Sequence, residues 1–383
     1  MRAHEKSRFS GPPRILFAGS PAIALPSLEA LMRGSADTPD SAETRPAAPP
    51  SGAWTLAGVL TNPDKPRGRS GRAEPTAVAA AAERYSAFSV ENGLPPLAVL
   101  KPETLKAEAR EAAAALSPDL LVSFAYGRIF GPKFLSIFPL GGINIHPSLL
   151  PAYRGASPVQ EAILRRDGKT GICIQKIALE TDTGNILASR EIPLSGRETA
   201  ASLGELAGKE AALLLSETLR GLLEAVSRGD GFPDGTPQEG TPSYCSLIGK
   251  DSGIIDWNKS AVEIDAMIRA YTPWPLARTS HNGQVLLILE AAPFRGDAPR
   301  EDAPGGEAPG VSRAGNGGPS SAAETAAGRV LGTDKKNGIL IQTGGGILAV
   351  TRLQYQARKA LPWQAFLNGA RNFIGARLDS EDA

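Results

Sequence analysis

The densest chemical signal in the chain is Gly142-Ile-Asn-Ile-His-Pro-Ser-Leu-Leu-Pro-Ala-Tyr-Arg-Gly155. The apolar run up to Ile145 reads as a strand, and side chains alternate along a strand, so Asn144 and His146 project from the same face. Pro147 lacks an N–H and ends the ladder. An amide and an imidazole presented together at a strand end can act on a carbonyl: the amide donates to a developing oxyanion, and the imidazole moves a proton near neutral pH. The plainer role, satisfying turn carbonyls, is the usual fate of a lone histidine. The chain has three histidines. His4 lies in a polar tail and His281 in a glycine-containing turn, whereas the setting of His146 favours chemistry.

A carboxylate follows at Asp182, in Glu180-Thr-Asp-Thr-Gly-Asn185. It could orient His146 and stabilise its cation. An Asx-turn, for which Asp-Thr-Gly is well suited, explains the residues about equally well. The paired Asp-Thr-Gly motifs of an aspartic protease are excluded, because there is no second copy. A third cluster, Lys65, Arg67, Arg69 and Arg72, is interleaved with Pro and Gly, which suits contact with phosphates or unpaired bases. On residue types alone, a solvated charge run is the commoner outcome.

The elements that must position these groups alternate. Arg14–Ala18, Trp54–Thr61, Leu120–Phe124, Gly142–Ile145, Thr170–Ile177 and Asn185–Ile192 read as strands. Helical spacing marks 23–33, 76–86, 102–116, 158–166 and 199–228. The alternation predicts an open α/β, Rossmann-like, mostly parallel sheet with helices on both faces, whose ligands bind beyond the carboxyl ends of the strands. After Gly229–Ser243, rich in Gly and Pro and expected as a linker, short strand-like runs at 253–257, 285–291, 328–332, 338–342 and 347–353 predict a small β-barrel (OB-like). The expected organisation is a catalytic domain over 12–228, a linker over 229–243 and a β-barrel domain over 244–378. Two stretches, 34–52 and 295–327, are too rich in Gly, Pro, Ala and Ser to bury a core and read as disordered insertions.

Lys and Arg total 41 against 40 Asp and Glu, so bulk charge neither demands nor excludes an anionic partner. Cys173 and Cys245 lack CxxC or His neighbours and read as reduced thiols; no metal is expected. The N-terminus lacks the apolar stretch of a signal peptide, and no run approaches the roughly 20 residues of a membrane span, so a cytoplasmic, monomeric protein is expected.

The run from Asn144 through His146-Pro-Ser-Leu-Leu-Pro-Ala-Tyr-Arg-Gly to Asp182-Thr-Gly resembles the 10-formyltetrahydrofolate-dependent formyltransferases. Their Asn, His and Asp match Asn144, His146 and Asp182. The resemblance implies that these three are catalytic, and that Ser148, Leu149, Leu150 and Pro151 line the site for 10-formyltetrahydrofolate. Phe17-Ala-Gly-Ser-Pro21, Thr61-Asn-Pro-Asp-Lys-Pro-Arg-Gly-Arg69 and Ala270-Tyr-Thr-Pro-Trp-Pro275 are similar to members that formylate initiator methionyl-tRNA for translation initiation. That likeness implies tRNA contacts from Lys65, Arg67, Arg69 and Arg72, with Arg69 at the acceptor end, and a tRNA-assisting C-terminal domain. Two other readings remain on the residues. A formyltransferase acting on a sugar nucleotide or glycinamide ribonucleotide would share the three residues, and a folate- or RNA-binding protein would dispense with catalysis.

Overall fold

The computed structural model describes residues 11–35, 54–66, 71–296, 326–370 and 372–379. The chain divides into two compact units, 1–162 with 167–196 and 201–247, and 163–166 with 197–200 and 248–383.

In the first unit, β1 (Arg14–Gly19), β2 (Thr55–Leu60), β3 (Ala98–Leu100), β4 (Leu120–Phe124) and β5 (Gly142–His146) pair in parallel, and β6 (Lys169–Lys176) and β7 (Ile186–Pro193) add antiparallel. The order is β7-β6-β5-β4-β1-β2-β3. Consecutive residues Ile15, Leu16, Phe17 and Ala18 are all fully buried, as a strand covered on both faces requires. That continuous apolar run is why the parallel core could be read from the sequence. Thr76 caps the helix Ala77–Glu91, its hydroxyl accepting from the Ala79 N–H at 3.0 Å. The same hydroxyl lies 2.6 Å from that of Thr61, at the end of β2.

The expected insertion at 34–52 falls mostly outside the described residues, but its roots are defined. Ser35 bridges Trp54, and its hydroxyl accepts from the Leu56 N–H at 3.1 Å. The buried Trp54 indole donates to the Leu31 carbonyl at 3.0 Å. Ends held side by side make loop length cheap, since closure entropy grows only with its logarithm. The insertion expected at 295–327 likewise lies almost wholly outside the described residues.

The second unit is an antiparallel sheet, β8 (Ala277–His281), β9 (Gln284–Pro293), β10 (Val330–Asp334), β11 (Gly338–Gln342) and β12 (Ile347–Tyr355), in the order β8-β9-β12-β11-β10. Its edges are joined by the C-terminal segment. Asp379 pairs with Ser280 of β8, and Arg377 pairs with Arg329 beside β10. The result is a closed sheet around Ile255, Trp257, Ile264, Leu286, Ile339 and Val350. The sequence reading placed a strand at 253–257, where the chain makes a 3₁₀ turn at Lys250–Gly253 and one isolated bridge. It missed β8, whose Ala-Arg-Thr-Ser-His is too polar to announce a strand although Thr279 and Ser280 are buried.

His281 closes β8, only 6% exposed, edge-on to Phe373 at 4.9 Å, with Nδ1 and the Tyr355 hydroxyl 2.6 Å apart. Burial lowers its basicity below the ordinary value of 6.5. The unfolded chain therefore takes up a proton first as pH falls, and the stabilisation is present above about 6.5 and lost as pH falls through the lowered value. In calorimetric melts, the advantage of the wild type over His281→Gln should shrink between pH 7.5 and pH 5; a constant difference contradicts the assignment.

Candidate active site

The parallel ladder puts Asn144 beside Ser123, and the antiparallel one puts it beside Gln175 and His146 beside Cys173. As alternation requires, Asn144 and His146 turn to the same side. Asp182 reaches them from the β6–β7 connection: its Oδ1 lies 3.4 Å from Asn144 Nδ2 and 3.5 Å from His146 Nδ1. The three residues singled out in the sequence thus converge on one carboxylate oxygen.

The carboxylate is held in place by other groups. Gln175 Nε2 donates to Oδ1 at 2.8 Å, and the Gly155 N–H donates to Oδ2 at 2.9 Å. Both carboxylate oxygens are thereby engaged with groups outside the Asp182 turn. Asp182 itself sits at φ 54°, a left-handed conformation that aspartate tolerates better than most residues.

The imidazole is oriented by a group the sequence did not suggest. His146 Nε2–H donates to the Tyr153 carbonyl at 2.8 Å, so in the neutral ring Nδ1 carries the lone pair facing Asp182. At 3.5 Å that contact is longer than a formed hydrogen bond. Burial pushes His146 below the ordinary imidazole value, opposed by the Asp182 charge and the Tyr153 carbonyl. Nδ1 is therefore a free base with an anion poised to hold any proton it receives.

The Ser148–Pro151 segment leaves the strand end directly. Ser148 is fully buried and its hydroxyl donates to the Ala152 carbonyl at 2.6 Å, so that group shapes the loop. Leu149, Leu150 and Pro151 are half-buried and offer apolar surface. The Leu150 N–H donates to Cys173 Sγ at 3.4 Å, and burial raises the thiols of Cys173 and Cys245, leaving both in the unreactive form.

Lys65 and Arg72 are exposed on a separate hairpin, whose two-residue ladder pairs Lys65 with Glu74 and Pro66 with Ala73. Arg67 and Arg69 lie outside the described residues. Below the hairpin, Asn62 ties three strand ends together: its Nδ2 donates to Ser20 Oγ and to the Tyr126 carbonyl, both at 2.9 Å.

Sequence reading missed Gln175, Gln238, the Tyr153 carbonyl and the ladder in which Arg154-Gly155 pairs in parallel with Tyr244-Cys245. The stretch expected as a linker, 229–243, runs within the first unit, and Gln238 Nε2 donates to the carbonyls of Asp182 and Gly184 at 2.8 and 2.9 Å. Period-2 alternation does mark Gln175 as facing the side of its strand shared by Cys173 and Ile177; nothing local marks Gln238.

A formyl transferase profile matches residues 43–219, and a formyl transferase C-terminal domain profile matches 247–371. A methionyl-tRNA formyltransferase of Treponema denticola is 41% identical over 94% of this chain and 98% of its own length. One from Borrelia hermsii is 36% identical over 84% and 91%. Among solved structures, an N-formyltransferase from Helicobacter canadensis, in complex with folinic acid and dTDP-3-aminofucose, superposes with a TM-score of 0.52 at 17% identity, covering 88% of this chain and 98% of that one. At that identity it shows the fold alone.

Gly155 is at φ 115°, and a Cβ there would run into the Cys245 carbonyl. Gly155→Ala should destabilise the first unit by about 1–3 kcal/mol in urea unfolding. Gly204→Ala, in open space on the helix Ala200–Ser227, should stabilise by roughly 0.5–1 kcal/mol. Equal effects would refute the close-approach argument.

Proposed function

This chain belongs to the formyl transferase family, and from that premise we propose that it transfers the formyl group of 10-formyltetrahydrofolate to the α-amine of methionine esterified to initiator tRNA. The observation that carries the reading is the convergence of Asn144, His146 and Gln175 on Asp182 at a strand's carboxyl end, in a chain alignable over nearly its whole length with methionyl-tRNA formyltransferases. The reaction belongs in the cytoplasm, where charged initiator tRNA is made, and the enzyme acts as a monomer.

When bound, 10-formyltetrahydrofolate supplies the formyl carbon that the amine attacks, and tetrahydrofolate is the leaving group. Apolar Leu149, Leu150 and Pro151, half-buried beside His146, fit a flat aromatic ligand. Asn144 Nδ2 supplies N–H donors for negative charge gathering on the formyl oxygen. His146 Nδ1, with Nε2 spent on the Tyr153 carbonyl, accepts the proton that the attacking amine must lose. Asp182 stabilises the resulting imidazolium, and the same proton is available to the departing nitrogen. Lys65 and Arg72, together with Arg67 and Arg69 that lie between them in the sequence, supply positive charge for the tRNA backbone. The second unit's closed sheet assists docking of the tRNA.

Turnover on charged initiator tRNA, with none on amino-sugar nucleotides or glycinamide ribonucleotide, tests the substrate assignment. Asn144→Ala should lower kcat by about 10²–10³, the usual loss for one oxyanion donor. If Asn144→Ala and Asp182→Asn both turned over at near wild-type rates, the site assignment would be wrong; if no tetrahydrofolate were released under any condition, a binding role would replace catalysis.

The hairpin has a separate signature. Lys65→Ala with Arg72→Ala should raise KM for tRNA several-fold and flatten its dependence on salt, with KM for the folate unchanged. An unchanged salt slope would place the tRNA elsewhere.

A further inference from the structure

The Asp182 carboxylate sits on a turn between two strands, and its side chain is only 10% exposed. Such an anion keeps its place only if donors hold it. Gln175 projects from β6, is itself buried, and aims its amide N–H at Asp182 Oδ1, 2.8 Å away. That is the oxygen that also faces Asn144 and His146. Gln238 grips the same turn through its backbone, donating from Nε2 to the carbonyls of Asp182 and Gly184, with the Gln175 Oε1 a further 3.4 Å contact. The opposite end of the Gln238 amide is fixed by a fork: Arg154 Nε and Nη2 both donate to its Oε1, at 3.1 and 2.7 Å. Arg154 leads directly into Gly155, whose N–H holds the other oxygen of Asp182. The contacts close a ring: Arg154 to Gln238 to the Asp182 turn, and Asp182 back through Gly155 to Arg154.

We infer that Gln175 and Gln238 are positioning residues for the reaction, a pair of neutral amides that aim the Asp182 carboxylate at Asn144 and His146. The inference rests on the reading of Asp182 as part of the catalytic set. The amide is the right group for both positions. Each must donate to an oxygen on the Asp182 side. Gln238 donates to two carbonyls and also accepts from a guanidinium, and an amide, with two N–H donors and a carbonyl, does so without adding a charge. A glutamate at 175 would match in shape yet present an acceptor to an acceptor. A lysine would donate but form an ion pair that competes with His146 for the carboxylate. Donation to a charged acceptor is among the stronger hydrogen bonds, so its loss should be visible in rate as well as in stability.

The test is a kinetic cycle on the full-length enzyme with formylated folate and charged initiator tRNA, comparing wild type, Gln175→Met, Gln175→Glu, Gln238→Met, Asp182→Asn and Gln175→Met combined with Asp182→Asn. Gln175→Met keeps length without the donor and should lower kcat about ten- to a hundredfold, with both KM values within about twofold. Gln175→Glu, closer still in shape, should lose more. On the Asp182→Asn background the Gln175→Met change should cost less than about twofold, because a residue acting through Asp182 has nothing left to position. A residue that only supports the fold would cost the same on both backgrounds, and that result overturns the inference. A silent Gln175→Met beside a damaged Asp182→Asn also overturns it while leaving the site assignment standing; a fully active Asp182→Asn overturns both. Thermal melting checks that each variant is folded. Gln238→Met, expected to lower kcat about five- to tenfold without moving either KM, decides the matter from the other side of the turn should the strand variants not fold.

Discussion

The first unit is arranged around one buried charge. A carboxylate as enclosed as Asp182 costs several kcal/mol in lost hydration unless donors replace the water. Four groups stand around it: the Gln175 amide, the Gly155 N–H, the Asn144 amide and His146. The two shorter contacts fix the anion in place, and the two longer ones face the side where chemistry would occur. That division of distances keeps the Asn144 amide and the His146 Nδ1 from being fully spent on Asp182.

The four groups are delivered by the sheet, by a short ladder beside it and by the loop after β5. Gln175 and Asn144 are neighbours across the β5–β6 ladder, so their separation is set by the sheet. Gly155 is aimed by its short ladder with Tyr244-Cys245, which presses so near that no side chain fits. The imidazole is aimed by a backbone carbonyl, Tyr153, at a left-handed residue of the loop after β5. Sheet register and close backbone approach thus set where each group stands, and the Gln175 and Gln238 amides complete the hold on Asp182 and its turn.

What the sequence made legible follows from range. Asn144 and His146 could be paired because strand alternation is a two-residue rule. The parallel core could be read because a strand buried on both faces writes a continuous apolar run. Asp182 was left between two meanings, since the deciding partners, Gln175 and Gly155, are meaningful only once β6 folds back along β5. Gln238 was invisible: its surroundings are Gly, Pro and Glu, and its role depends on a chain return that no local pattern encodes. β8 was missed for a related reason, its polar residues being buried only after the C-terminal segment pairs with them.

The return of the 238–245 stretch to the first unit shifts where the protein can be cut and rejoined. A recombination event ending at the long helix would inherit Asn144, His146 and Asp182 intact, yet it would leave behind Gln238, the Ser243 hydroxyl that receives the Tyr153 N–H at 2.9 Å, and the Cys245 strand. The first unit accordingly runs on to Leu247, and a strip of sequence that looks, residue by residue, like a disposable tether belongs with the part of the fold that holds Asn144, His146 and Asp182.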